Sequence, residues 1–308
     1  RDLLPPGPGP GELLLARRGA WLNRADLILG HPTRSGRPDG LVIAGREVAG
    51  EAIAIGQGVT GFKPGDRIMA MADGCFAEQV IVDQHLALPV PPAMDWTRAA
   101  AVPVVYATVH DALISNGAMA KGETVLVNAA SSGVGVAALQ MARWLGAGLL
   151  FGTTGSTAKL LALQKFGADL IIEHHAENFA DRILERTGGR GADVIIDNVG
   201  AGMLADNIRV AAIKARIVSV GRLGGRIDKL DLDELARKRI RLIGVTFRTR
   251  SMEERVEVVR RFTADCRAHF REGSLWPVVD RTFPLGEAVA ALAYMRSNAH
   301  LGKIVLTA

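Results

Sequence analysis

The sequence predicts an α/β fold in which a doubly wound parallel sheet is joined to a smaller, β-rich domain. Three observations predict it. From residue 124 to residue 246, apolar runs of strand length alternate with segments of helix length, the pattern of a parallel sheet covered on both faces. Up to about residue 92 the apolar runs are short and split by Gly, Pro and Asp, which reads as an antiparallel, partly closed sheet. The chain also has 35 glycines, many closing an apolar run where a strand must turn into a helix. Its 308 residues suit two domains better than one.

The elements follow in order. Pro5-Pro6-Gly7-Pro8-Gly9-Pro10-Gly11 is an extended, turn-rich lead-in without a signal-peptide pattern. Strands are expected at 12–16, 41–44, 48–55, 67–70 and 78–82. In the alternating region strands at 124–129, 149–153, 170–173, 193–197, 216–220 and 240–246 are separated by helices at 133–145, 157–166, 176–186, 203–211 and 230–239. Within the first of these helices Val134, Ala138, Met141 and Leu145 recur at three-to-four spacing and give one face to pack on the sheet. A charged helix is expected at 252–270, and a last strand at 303–307 returns to the first domain.

Composition narrows the function. With 48% hydrophobic and 22% charged residues the chain can bury enough apolar surface to fold, and no run of eighteen apolar residues suggests a membrane-spanning helix. Cys75 and Cys266 are too few for a disulfide framework or a four-thiolate zinc site, which points to the reducing cytoplasm. The net charge of +5 comes from scattered basic residues, and only 5% of side chains are aromatic. That argues against nucleic acid as the main partner and leaves a polyanionic cofactor as the match for the charge.

Asn128-Ala129-Ala130-Ser131-Ser132-Gly133-Val134-Gly135 lies where the first strand of the αβ series meets its helix. A helix N-terminus there offers unpaired N–H groups and partial positive charge, and glycine lets the pyrophosphate of a dinucleotide approach the backbone. The alternative, that Gly133 and Gly135 serve only close packing, stands beside it. An NAD site places a carboxylate at the end of the second strand, to accept from the ribose 2′-hydroxyl. Here that strand ends in Gly152-Thr153-Thr154-Gly155-Ser156 with no acid, and Lys159 follows. Hydroxyls, a helix start and an ammonium attract the 2′-phosphate that a carboxylate would repel, so the expected cofactor is NADPH; Lys159 has a second reading as a solvated helix lysine.

Almost the whole chain resembles the medium-chain dehydrogenase/reductase superfamily, in its zinc-independent quinone oxidoreductase branch. The segments that carry the resemblance are Leu22-Asn23-Arg24-Ala25-Asp26, Gly45-Arg46-Glu47-Val48-Ala49-Gly50, Val59-Thr60-Gly61-Phe62-Lys63-Pro64-Gly65-Asp66-Arg67, the glycine turn above and Leu301-Gly302-Lys303-Ile304-Val305. Phe247-Arg248-Thr249-Arg250-Ser251 is most like the p53-inducible type. Members of the branch open with Met and one further strand, which this sequence does not show. The resemblance implies a GroES-like β-rich catalytic domain (1–104 and 246–308), a Rossmann domain (105–245) and NADPH in a cleft between them. It places Ser132, Gly133 and Val134 at the pyrophosphate, Gly155, Ser156 and Lys159 at the 2′-phosphate, and His174 where relatives have a tyrosine near the adenine ribose. Asn23, Tyr106 and Thr108 match positions near the nicotinamide, and Val199, Gly221, Phe247 and Lys303 the rest of the groove. Asn23 and Tyr106 are the candidate catalytic residues. Zinc relatives have Cys in the first segment and His before the Glu of the second; here those places hold Asn23 and Arg46, and a guanidinium is no ligand, so no metal is expected.

Without a metal to polarise an alkoxide, the expected reaction is hydride transfer from NADPH to a quinone or α,β-unsaturated carbonyl, which accept it directly at carbon. Relatives often carry a tyrosine after the Asn23 segment; Gly30-His31-Pro32-Thr33 has none. Tyr106 either donates to the substrate oxygen or packs beside the nicotinamide. His110 and Asp111 point apart on a helix, and Cys75 reads as a small, inert hydrophobe. Two other readings stay open: an enoyl-thioester reductase of polyketide or fatty-acid type, and a non-enzymatic, NADPH-binding structural or RNA-associated protein. A homodimer is expected along the last Rossmann strand, and acceptor choice in loops such as 30–40 and around Phe247.

Overall fold

The computed structural model describes residues 7–27 and 43–308. The expected loop at 30–40, including Gly30-His31-Pro32-Thr33, and residues 41 and 42 of the expected strand at 41–44 lie outside the described residues.

The chain divides into two units, one formed by Arg1–Ala107 with Ser251–Ala308 and the other by Thr108–Arg250. In chain order the strands are β1 (Glu12–Trp21), β2 (Glu47–Ile55), β3 (Arg67–Met71), β4 (Gln79–Asp83), β5 (Ala87–Pro89), β6 (Thr124–Val127), β7 (Leu149–Thr154), β8 (Leu170–Glu173), β9 (Ala192–Asp197), β10 (Ala211–Ser219), β11 (Arg241–Gly244), β12 (Val279–Pro284) and β13 (Lys303–Thr307). The helices are α1 (Trp96–Ala99), α2 (Pro103–His110), α3 (Gly133–Trp144), α4 (Leu160–Gln164), α5 (Phe179–Arg186), α6 (Leu204–Val210), α7 (Leu232–Arg237), α8 (Met252–Glu272) and α9 (Ala288–Arg296). A π-helical segment, Asp111–Asn116, continues α2.

The first unit holds a seven-stranded sheet in the order β12-β13-β1-β2-β3-β5, with β4 also paired to β1. Its core uses alternate residues, Leu13 and Leu15, Val48 and Ala52, Ile68 and Ala70, Val80 and Val82, as a strand's two-residue period requires. The returning strand β13 pairs antiparallel with β1, which is how the chain's end rejoins its beginning. Ile43 and Ala44 are not in a strand, contrary to the pattern reading: Gly45 turns there at φ 95°, and Ala44 and Gly45 instead accept from Phe76 and Cys75. Helix α8 starts in a capping box between Ser251 and Glu254 and stops at left-handed Gly273, its buried face being Val258, Val259, Phe262, Cys266 and Phe270.

The second unit is a six-stranded parallel sheet in the order β11-β10-β9-β6-β7-β8. Strand order reverses between β6 and its neighbours β7 and β9, so the switch point of a doubly wound sheet lies at the carboxyl end of β6. Leu126, Phe151, Ile195 and Ile217 share a core with Phe179 and Ile183 of α5 and Ile208 of α6. On β7, a Cβ at Gly152 would lie 2.7 Å from Ile171 Cδ1 and 2.9 Å from the Ala130 side chain, so glycine permits the close packing of β8 and of the turn after β6. The helix expected at 157–166 is a 3-10 turn at Thr157–Lys159 followed by the five residues of α4.

Candidate functional site

Most of the predicted cofactor residues gather along one edge of the second unit, just past the carboxyl ends of its strands. At the end of β6, buried Asn128 donates through Nδ2 to Asn207 Oδ1 (2.7 Å), accepts from Thr153 Oγ1 (3.1 Å), and its carbonyl accepts from Asn198 Nδ2 (2.9 Å). This buried polar cluster ties the ends of β6, β7 and β9 to α6 beneath the turn. Ala129 follows at φ 51°, a conformation that a residue with a Cβ adopts at some cost, and its N–H donates to Thr153 Oγ1 (3.3 Å). Ser132 then caps α3: its hydroxyl donates to Ala129 O (2.8 Å) and accepts from Gly135 N (3.0 Å). Ser132, Gly133 and Val134 therefore form the first turn of a twelve-residue helix, where backbone N–H groups have no helical partner. Gly135 also packs: a Cβ there would stand 2.3 Å from Ala129 O.

The rim after β7 and β8 carries no carboxylate on the β7 side. Thr154 ends β7 with its hydroxyl buried and without a hydrogen-bond partner. Gly155 is exposed, Ser156 and Lys159 half-buried. His174, just past β8, is half-buried; its N–H donates to Thr154 O (3.0 Å) and its ring lies 4.2 Å from that of His175. Val199 and Gly221 follow the ends of neighbouring β9 and β10, where Asp197 accepts from the N–H groups of Val199 and Gly200 (2.8 and 3.0 Å). A Cβ at Gly221 would meet Asn198 O at 2.4 Å. Phe247 lies past β11 with the Arg250 guanidinium 5.1 Å from its ring centre, and Arg250 is held by buried Asp111 at 2.6 Å. Asp111 is thus engaged in an ion pair within the second unit.

Asn23, Tyr106 and Lys303 belong instead to the first unit. There Glu47, with no exposed surface, accepts from Asn23 Nδ2 (2.8 Å) and Val104 N (2.8 Å) and pairs with Lys303 Nζ (3.2 Å). The same ammonium donates to Asn23 Oδ1 (3.2 Å) and stands 3.4 Å from the ring centre of Trp21. Burial pulls the Lys303 pKa down, while Glu47 and Asp26 push it back up. Lys303, matched from sequence to the cofactor groove, thus has its charge buried within this cluster. Tyr106 is 1% exposed with its ring edge-on to Phe270 at 5.1 Å, and burial drives its hydroxyl pKa up. Thr108 is half-buried on α2. Cys75 is buried, its thiol donates to Ala72 O (3.1 Å), and burial with nearby Glu47 raises its pKa well above the usual value.

The pattern reading gave no part to Asp26 or Glu47, although both stand inside quoted motifs. Asp26 accepts from Asn23 N (2.6 Å), and burial raises its pKa from the usual 3.8 to about 6. A carboxyl whose folded pKa lies above its unfolded value favours folding when protonated, so this contribution is present below about pH 4 and lost as pH rises through 6. The two-unit shift amounts to about 3 kcal/mol at most. Asp26→Asn, which keeps an acceptor for Asn23, is expected to stabilise the protein at pH 7.5 by about 1–3 kcal/mol and to do little at pH 4. Urea midpoints of both forms at the two pH values test this; a difference that does not change with pH refutes it.

Zinc does not fit this cluster. At the two places where zinc relatives carry Cys and His stand Asn23, whose side-chain oxygen is already taken by an ammonium, and Arg46. A divalent cation would there be opposed by two positive charges. Among the described residues no group of three or more His, Cys, Asp or Glu is placed to hold a metal ion.

Two family models match the chain: an alcohol dehydrogenase GroES-like domain over residues 9–92 and a zinc-binding dehydrogenase over residues 133–264. The quinone oxidoreductase of Rattus norvegicus is 31% identical over 99% of this chain and 92% of its own length. The highly reducing polyketide synthase easB of Emericella nidulans is 30% identical over 99% of this chain, which spans only 12% of that protein. Among solved structures, the Escherichia coli quinone oxidoreductase complexed with NADPH matches with a TM-score of 0.87 at 26% identity, over 100% of this chain and 95% of that one. The CurK enoyl reductase matches at 0.86 and 25% identity, over 100% and 94%. With the GroES-like sheet, the doubly wound sheet and a full-length quinone oxidoreductase relative, the chain belongs to the medium-chain dehydrogenase/reductase superfamily of oxidoreductases.

Proposed function

We propose that the chain is a zinc-independent, NADPH-dependent reductase of quinones or α,β-unsaturated carbonyls, with Thr108–Arg250 as its cofactor unit. The observation that carries this reading is the capped glycine turn at the switch point beside a β7 rim without a carboxylate. The residues fit the cofactor: the first turn of α3 offers backbone N–H groups without helical partners, and Thr154 offers a buried, unpartnered hydroxyl. Ser132, Gly133 and Val134 would hold the pyrophosphate, Gly155, Ser156 and Lys159 the 2′-phosphate, His174 the ribose, and Val199, Gly221 and Phe247 the rest of the groove. The nicotinamide, when bound, supplies the hydride.

The protein's own share is orientation. The Asn23 amide is fixed at both ends by Glu47 and Lys303, so its side chain is held in one geometry. Tyr106 would contribute its packed ring rather than a proton. A homodimer along β11 would cover an edge strand on which Leu242 is 44% exposed. Among the described residues no helix is long and apolar enough to cross a membrane, and two buried, unpaired thiols suit a reducing cytoplasm.

Lys159→Ala is expected to weaken NADPH binding about tenfold or more and to leave NADH nearly unchanged, because one charge-assisted bond to the 2′-phosphate contributes about 1.5–3 kcal/mol. Equal losses for both cofactors would overturn the assignment. The acceptor is tested with a panel of quinones, enones and crotonyl thioesters using both cofactors. Rapid turnover of the thioesters alone would favour an enoyl reductase, the reading that the match to the polyketide synthase and to CurK supports.

A further inference from the structure

We infer that His174 and His175 act together as a protonatable clamp on the 2′-phosphate, so that the preference for the phosphorylated dinucleotide strengthens as pH falls toward 6.5. The inference rests on the NADPH reading above and extends it to a residue, His175, and a proton that the reading does not contain.

The geometry is specific to this rim. The two imidazoles stand 4.2 Å apart and tilted by 45°. Both close over Gly155, where a Cβ would lie 3.0 Å from His175 Nε2 and 3.2 Å from His174 Cε1. A side chain at 155 would therefore push the rings off the loop in which the 2′-phosphate is placed. His174 Nδ1 is buried without a hydrogen-bond partner, and His175 is exposed. An unpartnered ring nitrogen beside a solvent-facing imidazole suits an anion that arrives with the ligand.

The charges around the pair decide its state. Without an anion, burial and then the neighbouring His175 hold His174 below the usual histidine pKa, because two cations at this separation repel. From β8, Glu173 favours the cation, but one of its oxygens accepts from His175 N at 3.1 Å. Glu177 in the following loop is paired with Arg182 of α5 at 3.0 Å, and Lys159 is the cation on the turn after β7. Burial and the second imidazole thus disfavour the cation at His174 until a dianion adds negative charge. Binding a 2′-phosphate then draws in a proton, and by linkage, affinity for that ligand rises as pH falls through the pair's pKa. The phosphate monoester protonates near pH 6, so the window that isolates the imidazoles lies above it.

The test is a titration with 2′-AMP and 5′-AMP on the intact protein, following the imidazole resonances of His174 and His175 by NMR. It is accompanied by calorimetric Kd values for NADP+ and NAD+ at pH 8.0 and 6.5. The expected result is a rise of about 0.5–1 unit in the pair's apparent pKa with 2′-AMP and none with 5′-AMP. The NADP+ Kd is expected to fall about three- to tenfold between the two pH values, with NAD+ flat and the pH effect lost in His175→Gln. Tight NADP+ binding with unmoved imidazole titrations would overturn the clamp and leave the cofactor reading intact. Equal affinity for 2′-AMP and 5′-AMP, with NADP+ no tighter than NAD+, would overturn both.

Discussion

Glu47→Gln is expected to cost about 3–5 kcal/mol of stability, because it leaves the Lys303 ammonium buried without its counter-charge. Glu47 has no exposed surface and Lys303 6%, so water cannot replace the lost partner. Glutamine keeps an acceptor for Asn23 Nδ2 or Val104 N but supplies no negative charge. Trp21, 3.4 Å from the ammonium, and Asn23 Oδ1 remain, and they offset only part of the loss. Asp26 offsets more: Glu47 raises its pKa and Lys303 lowers it, so removing Glu47 lets Asp26 ionise more readily beside the lysine. The sign with pH follows from Lys303, whose folded pKa lies below the usual 10.5 and falls further in the variant. The unfolded chain then binds more protons than the folded one, so the variant's stability rises as pH rises toward 10. Urea unfolding at pH 7 and 9, with the double variant Glu47→Gln/Lys303→Met, checks the account. The double variant is expected to recover much of the loss, since a buried pair replaced as a whole is often close to neutral. A loss under about 1 kcal/mol in the single variant would show that the pair is not buried as described.

The second large effect is expected from Gly135→Ala, which should raise the NADPH Kd at least about 30-fold, an energy of roughly 2 kcal/mol. The added carbon would sit 2.3 Å from Ala129 O, 2.6 Å from Ala130 Cα and 2.7 Å from Ala130 C, all backbone atoms with no rotamer to give way. The turn or the start of α3 must move, and with it the Ser132 hydroxyl that joins Ala129 O to Gly135 N. That displacement reaches the N–H groups proposed to hold the pyrophosphate, which favour an anion only where they converge. Gly286→Ala, at a position with nothing within 4 Å of the new carbon, is the control and should leave binding unchanged. Fluorescence titration with NADPH and with NADH measures both. Because the pyrophosphate is common to the two cofactors, both should weaken together, in contrast to Lys159→Ala; an unchanged Kd would refute the placement of the pyrophosphate.

Elements with strong local signals were legible. Residues 170–173 and 303–307 form strands with the expected bounds, since a continuous apolar run is buried whichever neighbours it finds. β12 was missed because Val279–Pro284 is mostly exposed and shows no apolar alternation; its pairing with β13 makes it a strand. The helix expected at 157–166 shortened to a 3-10 turn and five residues, and α9 at Ala288–Arg296 went unread. The glycine turn was readable because its requirements are local: a strand end, a helix start and a backbone without Cβ atoms.

What the sequence alone determined, then, is the succession of sheets, the capped turn and the absence of a carboxylate after β7, each written in residues within a few positions of one another. Only the tertiary structure decided that Lys303 meets Glu47 across 256 residues, that Asp26 is buried enough to hold its proton to about pH 6, and that two adjacent histidines close over Gly155. Charge state depends on burial and on the distance to other charges, and both are properties of the folded chain rather than of neighbours in sequence.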